Sequence, residues 1–170
     1  MELVFEKATI ADVPQIGALF EQGRAFLQAQ GIDQWQRKHS PRAAVAEADI
    51  AAGNGYVLRT PEGEIAAYAA LIFGIDPGYV HIDGSWLADL PYCAIHRVVT
   101  NAQYRGQGIA KQLLHHCHLA AKAMGAQSVR IDTHADNQIM QRVILGSGYQ
   151  YCGVIQTKAG DARNAYEMLL

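Results

Sequence analysis

The chain has 170 residues, of which 50% are hydrophobic, and its formal net charge at pH 7 is −2. This length suits a single domain spanning residues 1–170, and the near-neutral charge argues against nucleic acid as the main partner, because nucleic-acid-binding domains usually carry a basic footprint. The three cysteines are scattered and form no C-x-x-C pair, which is typical of reduced thiols. The start MELVFEKATI lacks a signal-peptide pattern, and no apolar run approaches the about 18 residues that a membrane span needs. These features favour a soluble cytoplasmic protein.

The first half of the sequence predicts a strand, two helices and a β-hairpin. In chain order these are residues 3–5, 10 to about 31, 40 to about 53, and the pair 55–60 with 64–73. Thr9 to Asp12 resembles a capping box in which Asp replaces Glu, so the first helix should start there. Ser40-Pro41 pairs a cap with a first-turn proline, which predicts the start of the second helix. The turn PEG between two apolar runs predicts the hairpin.

The second half predicts alternating strands and helices after a long connection. In chain order these are a connection over 74–92 with a short strand around 79–82, a strand at 93–100, a helix at 109–124, a strand at 127–133, a helix from 136 or 137 to about 145, and an antiparallel pair at 149–157 and 164–170. The order is neither strictly alternating nor segregated. It predicts a mixed α/β (α+β) fold with one sheet of about seven strands and about four helices on its two faces.

The stretch QYRGQG, residues 103–108, places two glycines directly before a predicted helix. A helix start carries unpaired N–H groups and a partial positive charge, and glycines let a phosphate approach that backbone closely. Arg105 and Lys111 can add positive charge. A Walker P-loop fails because Lys111 has no glycine before it and is followed by Gln112. A dinucleotide fingerprint fails because position 111 is lysine rather than glycine. The loop therefore suits a pyrophosphate, and a glycine-rich connection without a ligand is the alternative.

The motif Gln103-x-x-Gly106-x-Gly108 resembles the R/Q-x-x-G-x-G/A signature of the GNAT superfamily, the Gcn5-related N-acetyltransferases. A hydrophobic strand precedes it, and Arg105 fills the usual basic position. The later stretch RIDTHADNQIMQRVILGSGYQYCGVI resembles the second family signature, with Asn137 starting a helix and Gly148-Tyr149 entering a strand. The stretches DQW, SWL, PYCAIHR and RIDTH further resemble a bacterial group of small GNAT proteins. The order of predicted elements also matches that of the family.

The resemblance implies a sheet that splays between strands 93–100 and 128–133, with acetyl-CoA lying in the opening. Its pyrophosphate would meet the N–H groups of residues 105–110, its pantetheine would pair with the main chain of 98–100, and Asn137 would hold the pantetheine from the other side. The implied cofactor-binding residues are Val98, Val99, Thr100, Gln103, Arg105, Gly106, Gln107, Gly108, Ile109, Ala110 and Asn137.

Direct acetyl transfer to an amine needs a group that accepts a proton from the amine. His96 projects from one face of the central strand, and histidine titrates near neutrality, so it suits this role, with a hydrogen-bonded core histidine as the alternative. His134 and Asp132 at the end of the neighbouring strand, and His81 in the long connection, are further candidates. Asp132 equally suits a loop cap. Arg97 should face away from His96 and act as a structural ion-pair partner.

A proton donor for the leaving sulfur is less well defined by the sequence. Many GNAT enzymes use a tyrosine on the helix of the second signature, whereas this chain has Val143 and Ile144 there. Either Tyr149 or Tyr151 donates, or no acid is used, because a thiol is a tolerable leaving group. The predicted catalytic set is His96, His134 and Tyr149.

Several aromatic side chains have two equally supported roles. Trp35, with the neighbouring polar residues up to His39, and Trp86 and Tyr79 in the long connection either line the acceptor site or pack against the sheet. His115, His116 and His118 lie on the polar side of a predicted helix without a carboxylate at metal-ligand spacing, so no metal site is predicted.

The resemblance implies an acetyl-CoA-dependent N-acetyltransferase acting on a primary amine of a small molecule or a peptide. The alternative is a non-catalytic acyl-CoA-binding sensor or interaction module with the same fold, which the missing helix tyrosine favours. A purely structural domain would leave the Arg105–Gly108 loop without a reason. No nucleic acid and no membrane is expected as a partner. A homodimer is common in this fold, although no residue of the sequence points to one.

Overall fold

The computed structural model describes all 170 residues and contains eight strands and four helices. The strands are β1 (Val4–Lys7), β2 (Gly55–Arg59), β3 (Ile65–Phe73), β4 (Asp83–Gly84), β5 (Tyr92–Thr100), β6 (Ser128–Thr133), β7 (Gln150–Gln156) and β8 (Ala162–Leu169). The helices are α1 (Val13–Ala29), α2 (Ala43–Ala51), α3 (Ile109–Ala123) and α4 (Gln138–Gly146). The strands form one mixed sheet in the order β1-β2-β3-β5-β6-β8-β7-β4. The expected mixed α/β class is confirmed, with eight strands rather than about seven.

The chain divides into two compact units, and each is described by itself. The first unit comprises residues 1–71 and 97–113, and the second comprises residues 72–96 and 114–170. None of the helices combines the length and apolar character that crossing a membrane requires.

In the first unit, β1, β2 and β3 form an antiparallel meander that includes the predicted hairpin. The capping box forms, because the Thr9 N–H donates to the Asp12 carboxylate at 2.9 Å, but a 3-10 turn over Ile10–Asp12 delays α1 to Val13. The second helix begins at Ala43 rather than beside Ser40, since Arg42 is still extended. The buried stripe of α1 packs on the sheet in a cluster formed by Ala8, Ile16, Leu19, Phe20, Ala46, Val57, Ile65, Tyr68 and Val99.

A kink at Arg97 interrupts β5, where the backbone adopts a left-handed φ of 57°. Such a conformation costs energy in a residue other than glycine and needs support from its surroundings. The support is a two-pronged ion pair: Arg97 Nε donates to Asp49 Oδ2 at 2.9 Å and Nη2 donates to Oδ1 at 2.5 Å. Tyr68 donates its hydroxyl to the same carboxylate at 2.5 Å. The expectation that Arg97 is a structural ion-pair partner is confirmed.

Replacing Asp49 with asparagine should lower the free energy of unfolding by about 2 kcal/mol, because it leaves the Arg97 guanidinium without a charged partner at a largely desolvated site. Asp33→Asn is the matched control, since it breaks the exposed Asp33–Arg37 pair and should cost about 0–0.5 kcal/mol. Urea unfolding of both variants measures the difference. Equal losses would contradict a supporting role for Asp49 at the kink.

In the second unit, β5 and β6 run parallel, and their ladder extends from Tyr92↔Ser128 to Ile95↔Ile131. The ladder stops there, although β5 continues to Thr100 and β6 continues to Thr133. The kink at Arg97 comes two residues after the last pair and accounts for the end of the ladder, since a left-handed residue cannot continue regular strand pairing. The predicted splay in the middle of the sheet is confirmed.

The prediction of a short strand around residues 79–82 is wrong. Pro77–Tyr79 forms a 3-10 turn, and the short strand lies later, at Asp83–Gly84, where it pairs with β7. The reason is the sequence Asp76-Pro77-Gly78. Proline restricts φ and lacks an N–H, and the Asp76 carboxylate accepts a hydrogen bond from the Gly78 N–H at 2.8 Å.

A buried ion pair anchors the long connection before β5. Glu167 on β8 is fully buried and accepts hydrogen bonds from Arg130 Nε at 2.8 Å, from the Ser128 hydroxyl at 2.7 Å and from the Leu87 N–H at 2.7 Å. The Arg130 guanidinium also lies against the rings of Trp86 and Tyr92, 4.1 and 4.0 Å from their centroids. Because every charge here has a partner, the connection is held firmly on the sheet.

Candidate active site

The loop between β5 and α3 in the first unit carries the predicted phosphate contacts. Gly106 and Gly108 adopt left-handed φ values of 78° and 73°, and a Cβ atom at either position would meet no atom within 4 Å. The backbone therefore needs glycine here, and the space beside both residues is open. The first N–H groups of α3, which starts at Ile109, lack carbonyl partners within the helix. This arrangement fits an anionic group.

Glu64, just before β3, anchors this loop, which the sequence analysis missed. Its carboxylate accepts hydrogen bonds from the Tyr104 hydroxyl at 2.7 Å and from Asn101 Nδ2 at 3.1 Å. Asn101 Oδ1 in turn accepts from the Gln103 N–H at 3.0 Å. The Arg105 guanidinium lies 4.0 Å from the centroid of the Phe26 ring. These contacts tie the first part of the loop, residues 101–105, to β3 and α1.

The remaining predicted cofactor residues fall into three settings. Val99 is 5% exposed and packs in the core under α1, whereas its strand neighbours Val98 and Thr100 are half-buried. Asn137 caps α4, since its Oδ1 accepts from the Met140 N–H at 3.1 Å. The exposed loop residues are Gln103, Arg105, Gly106, Gln107 and Gly108, and Ile109 and Ala110 follow as the first turn of α3. Their roles in cofactor binding stay predictions.

A cluster of titratable side chains surrounds His96 in the second unit. His96 Nε2 lies 2.6 Å from Asp76 Oδ2, and His96 Nδ1 lies 4.0 Å from Asp132 Oδ1. Tyr79 donates its hydroxyl to the same Asp132 oxygen at 2.6 Å. His96 was predicted as a catalytic residue and Asp132 was a further candidate with a loop cap as its alternative role, and the structure brings the two together. Asp76 was missed, although its Asp-Pro-Gly turn was a visible local signal.

Tyr79 and Trp86 support this cluster. Tyr79 is 2% exposed, its carbonyl accepts from Trp86 Nε1 at 2.9 Å, and its ring packs 5.7 Å from the His96 ring. Burial and the nearby Asp132 carboxylate raise the pKa of Tyr79 well above its ordinary value, so the hydroxyl stays protonated and donates. Of the two roles left open for Tyr79, the packing role is the one these contacts support.

Asp76 is ionised at neutral pH despite its partial burial. Burial alone would raise the pKa of Asp76, but the hydrogen bond and charge of His96, the Gly78 N–H and the charge of Lys158 hold it below the ordinary value of 3.8. The carboxylate therefore acts only as an acceptor toward His96 Nε2.

A depressed folded-state pKa stabilises the fold above the unfolded pKa, and this contribution is lost as pH falls through the folded pKa. The wild type should therefore be more stable than Asp76→Asn at pH 7, and the difference should shrink progressively below about pH 4. Urea unfolding at a series of pH values measures it, with the exposed Asp89→Asn as control. A difference that is constant down to about pH 3 would contradict an ionised, bonded Asp76.

The other base candidates lie apart from these contacts. His134 Nδ1 accepts a hydrogen bond from the Asp136 N–H at 3.0 Å in the loop before α4. His81 is exposed. Together with Pro77 and Asp83 it lines a cavity of about 420 Å³. A catalytic role for His134 stays a prediction.

Tyr149 is 4% exposed, and its hydroxyl lies 2.6 Å from His118 Nε2 on α3. Burial raises the pKa of Tyr149, while burial and the charge of His115 lower the pKa of His118 to about 4. His118 is thus half-buried rather than on the polar side of the helix, because its ring completes the packing of α3 on Tyr149. The role of Tyr149 as a proton donor stays a prediction. Tyr151, the other candidate donor, is 55% exposed.

Comparison with known proteins shows which chains share this sequence and fold. The model of the acetyltransferase (GNAT) family matches residues 20–149. No curated protein matches the chain significantly. Among solved structures, a GNAT-family acetyltransferase from Streptococcus agalactiae 2603 shares 33% identity and a TM-score of 0.90, over 99% of this chain and 95% of that chain.

Two more distant structures share the fold. The ribosomal-protein-S18-alanine N-acetyltransferase from Escherichia coli is 12% identical with a TM-score of 0.67, over 99% of this chain and 94% of that chain. The NatC complex bound to Gag peptide and CoA is 13% identical with a TM-score of 0.70, over 100% of this chain and 99% of that chain. At such identities the similarity concerns the fold alone.

Proposed function

The chain belongs to the GNAT acetyltransferase family, and on that basis we propose that it moves the acetyl group of acetyl-CoA directly to a primary amine of a small molecule or a peptide. The observation that carries the proposal is the Gly106–Gly108 loop. Two left-handed glycines with open space beside them, placed before a helix start, leave room for a phosphate at the helix N–H groups, which supports the proposal.

The residues present fit acetyl-CoA as a co-substrate. The N–H groups from Gly106 to Ala110 would receive its pyrophosphate, since the Arg105 N–H already donates to the Ala102 carbonyl at 3.3 Å. The backbone of Val98 to Thr100 would align the pantetheine. When bound, acetyl-CoA supplies an activated acetyl thioester. Glu64 keeps the loop ready for binding through its bonds to Tyr104 and Asn101, which lowers the entropy lost on association.

His96 is the proposed proton acceptor. An amine is protonated at neutral pH and must lose a proton before it attacks, so a base within the site raises the reactive fraction. The amine nitrogen then bonds to the acetyl carbonyl carbon as the carbon–sulfur bond breaks. The electron pair leaves with sulfur, which takes a proton from water or a nearby donor, and the second amine proton is released. Positioning of the reactants supplies much of the rate.

The alternative is a non-catalytic acyl-CoA-binding module. One observation favours it, because Val143 and Ile144 stand where many family members place a tyrosine on this helix, and Ile144 is completely buried. This alternative predicts cofactor binding without turnover.

Calorimetric titration with acetyl-CoA, followed by a screen of amines for release of the CoA thiol, tests the proposal. We expect binding in the micromolar range and thiol release that depends on one class of amine. Absence of binding would contradict both the transferase and the binding module. Binding without thiol release for any small-molecule or peptide amine would favour the non-catalytic module.

A further inference from the structure

We propose that the gap between His96 Nδ1 and Asp132 Oδ1 is a docking site for a primary ammonium group, in which Asp132 holds the cation and Asp76 orients His96 to accept its proton. This inference rests on the proposed function, since it assigns the amine-binding groups of that reaction. Three elements build the site: the Asp76 turn, β5 with His96, and the end of β6 with Asp132.

The first step concerns the tautomer of His96. A carboxylate that only accepts hydrogen bonds lies 2.6 Å from Nε2, so the hydrogen of the neutral imidazole is on Nε2. The lone pair then lies on Nδ1, which is the atom that faces Asp132. Asp76 itself is held in place by the Gly78 N–H, and its own N–H donates to the Tyr92 hydroxyl at 2.7 Å. Asp76 is therefore a positioning residue that also stabilises the imidazolium once it forms.

The second step concerns the gap. Nδ1 and Asp132 Oδ1 are both acceptors, and at 4.0 Å they are too far apart to bond each other. A donor that lies to one side of the line joining these two atoms can be about 2.9 Å from each of them. Tyr79 donates its hydroxyl to the same Asp132 oxygen at 2.6 Å, so the carboxylate cannot rotate to close the gap without losing that bond.

The third step concerns charge. With neutral His96, the groups around the gap are the carboxylates of Asp76 and Asp132 and the neutral Tyr79 hydroxyl, with Lys158 close enough to act on Asp76. Two anions against one cation favour a positively charged guest over water. An ammonium also offers several donors, so one nitrogen can bond Asp132 and transfer a proton to Nδ1.

The proton transfer balances without further reactants. One N–H bond of the ammonium breaks as an N–H bond forms at Nδ1, which leaves a neutral amine beside an imidazolium flanked by two carboxylates. The amine lone pair is then free to attack a carbonyl carbon. The proton leaves His96 to solvent after the product departs, since the side chain is partly exposed.

The test uses the protein without acetyl-CoA. Nitrogen-15 NMR of the imidazole rings reports the tautomer, and the His96→Gln spectrum identifies the His96 signals. We expect the neutral His96 of the wild type to carry its hydrogen on Nε2, and Asp76→Asn to lower the share of that tautomer. The opposite tautomer in the wild type would overturn the proposal.

Titration with propylammonium then probes the gap, with tetramethylammonium at equal ionic strength as a cation that cannot donate. Only propylammonium should shift the His96 signals, and Asp132→Asn should weaken that response about tenfold, while the exposed Asp89→Asn leaves it unchanged. Equal responses to both cations would contradict the docking site. These outcomes do not depend on cofactor binding, so a failed acetyl-CoA titration would remove the proposed function and leave the ammonium site standing.

Discussion

Gly108→Glu should abolish measurable binding of acetyl-CoA, with an affinity loss of about 100-fold or more. The new carboxylate would enter the open space beside the start of α3, where the pyrophosphate is expected, and would repel it at short range. It would also occupy the positive end of the helix, which then no longer attracts a ligand anion. Calorimetric titration of the wild type and the variant measures the effect.

A control is needed because any side chain at position 108 is strained by the left-handed φ of 73°. Gly160→Glu provides it. Gly160 lies in the β7–β8 hairpin with a φ of 82°, and a Cβ atom there would meet no atom within 4 Å, so the substitution introduces the same strain and the same charge elsewhere. It should leave acetyl-CoA affinity within about twofold of wild type. Unchanged affinity in Gly108→Glu would refute the phosphate cradle.

His96→Ala should lower the rate of amine acetylation by about 10²–10³-fold while leaving acetyl-CoA affinity nearly intact, because it removes the proposed proton acceptor and no proposed cofactor contact. Thiol release at saturating acetyl-CoA measures the rate, and calorimetry measures the affinity. The exposed His115 provides the matched control, and His115→Ala should leave both unchanged.

The pH dependence of the acetylation rate distinguishes a catalytic base at position 96 from a residue that only packs. His96→Ala should gain more activity than the wild type from alkaline pH, where the free amine needs no base. Loss of activity at every pH together with a lower unfolding temperature would indicate that His96 is structural. An unchanged rate would exclude it as the proton acceptor.

Local sequence patterns predicted most of the fold. The alternation and length of apolar runs indicated the strands, and the helical spacing of apolar residues indicated α1 and α3. The features predicted best depend on neighbouring residues, such as the Thr9–Asp12 capping box, the PEG hairpin turn and the Asn137 cap. The early start expected for α2 was wrong because the backbone at Arg42 stays extended, which no cap pattern near Ser40 revealed.

The sequence by itself determined the mixed α/β class, the family resemblance and the glycine loop with its helix. Each of these is read from local patterns, whose residues lie within about one helical turn or one strand of each other. Only the tertiary structure decided the partners of His96, the Glu64 anchor of the loop, the Asp49 support of the kink and the Tyr149–His118 contact. Asp76 is 20 residues from His96, and Tyr79 is 53 residues from Asp132. Contacts at such separations depend on strand order and on where the ladder between β5 and β6 ends, and no local periodicity encodes either.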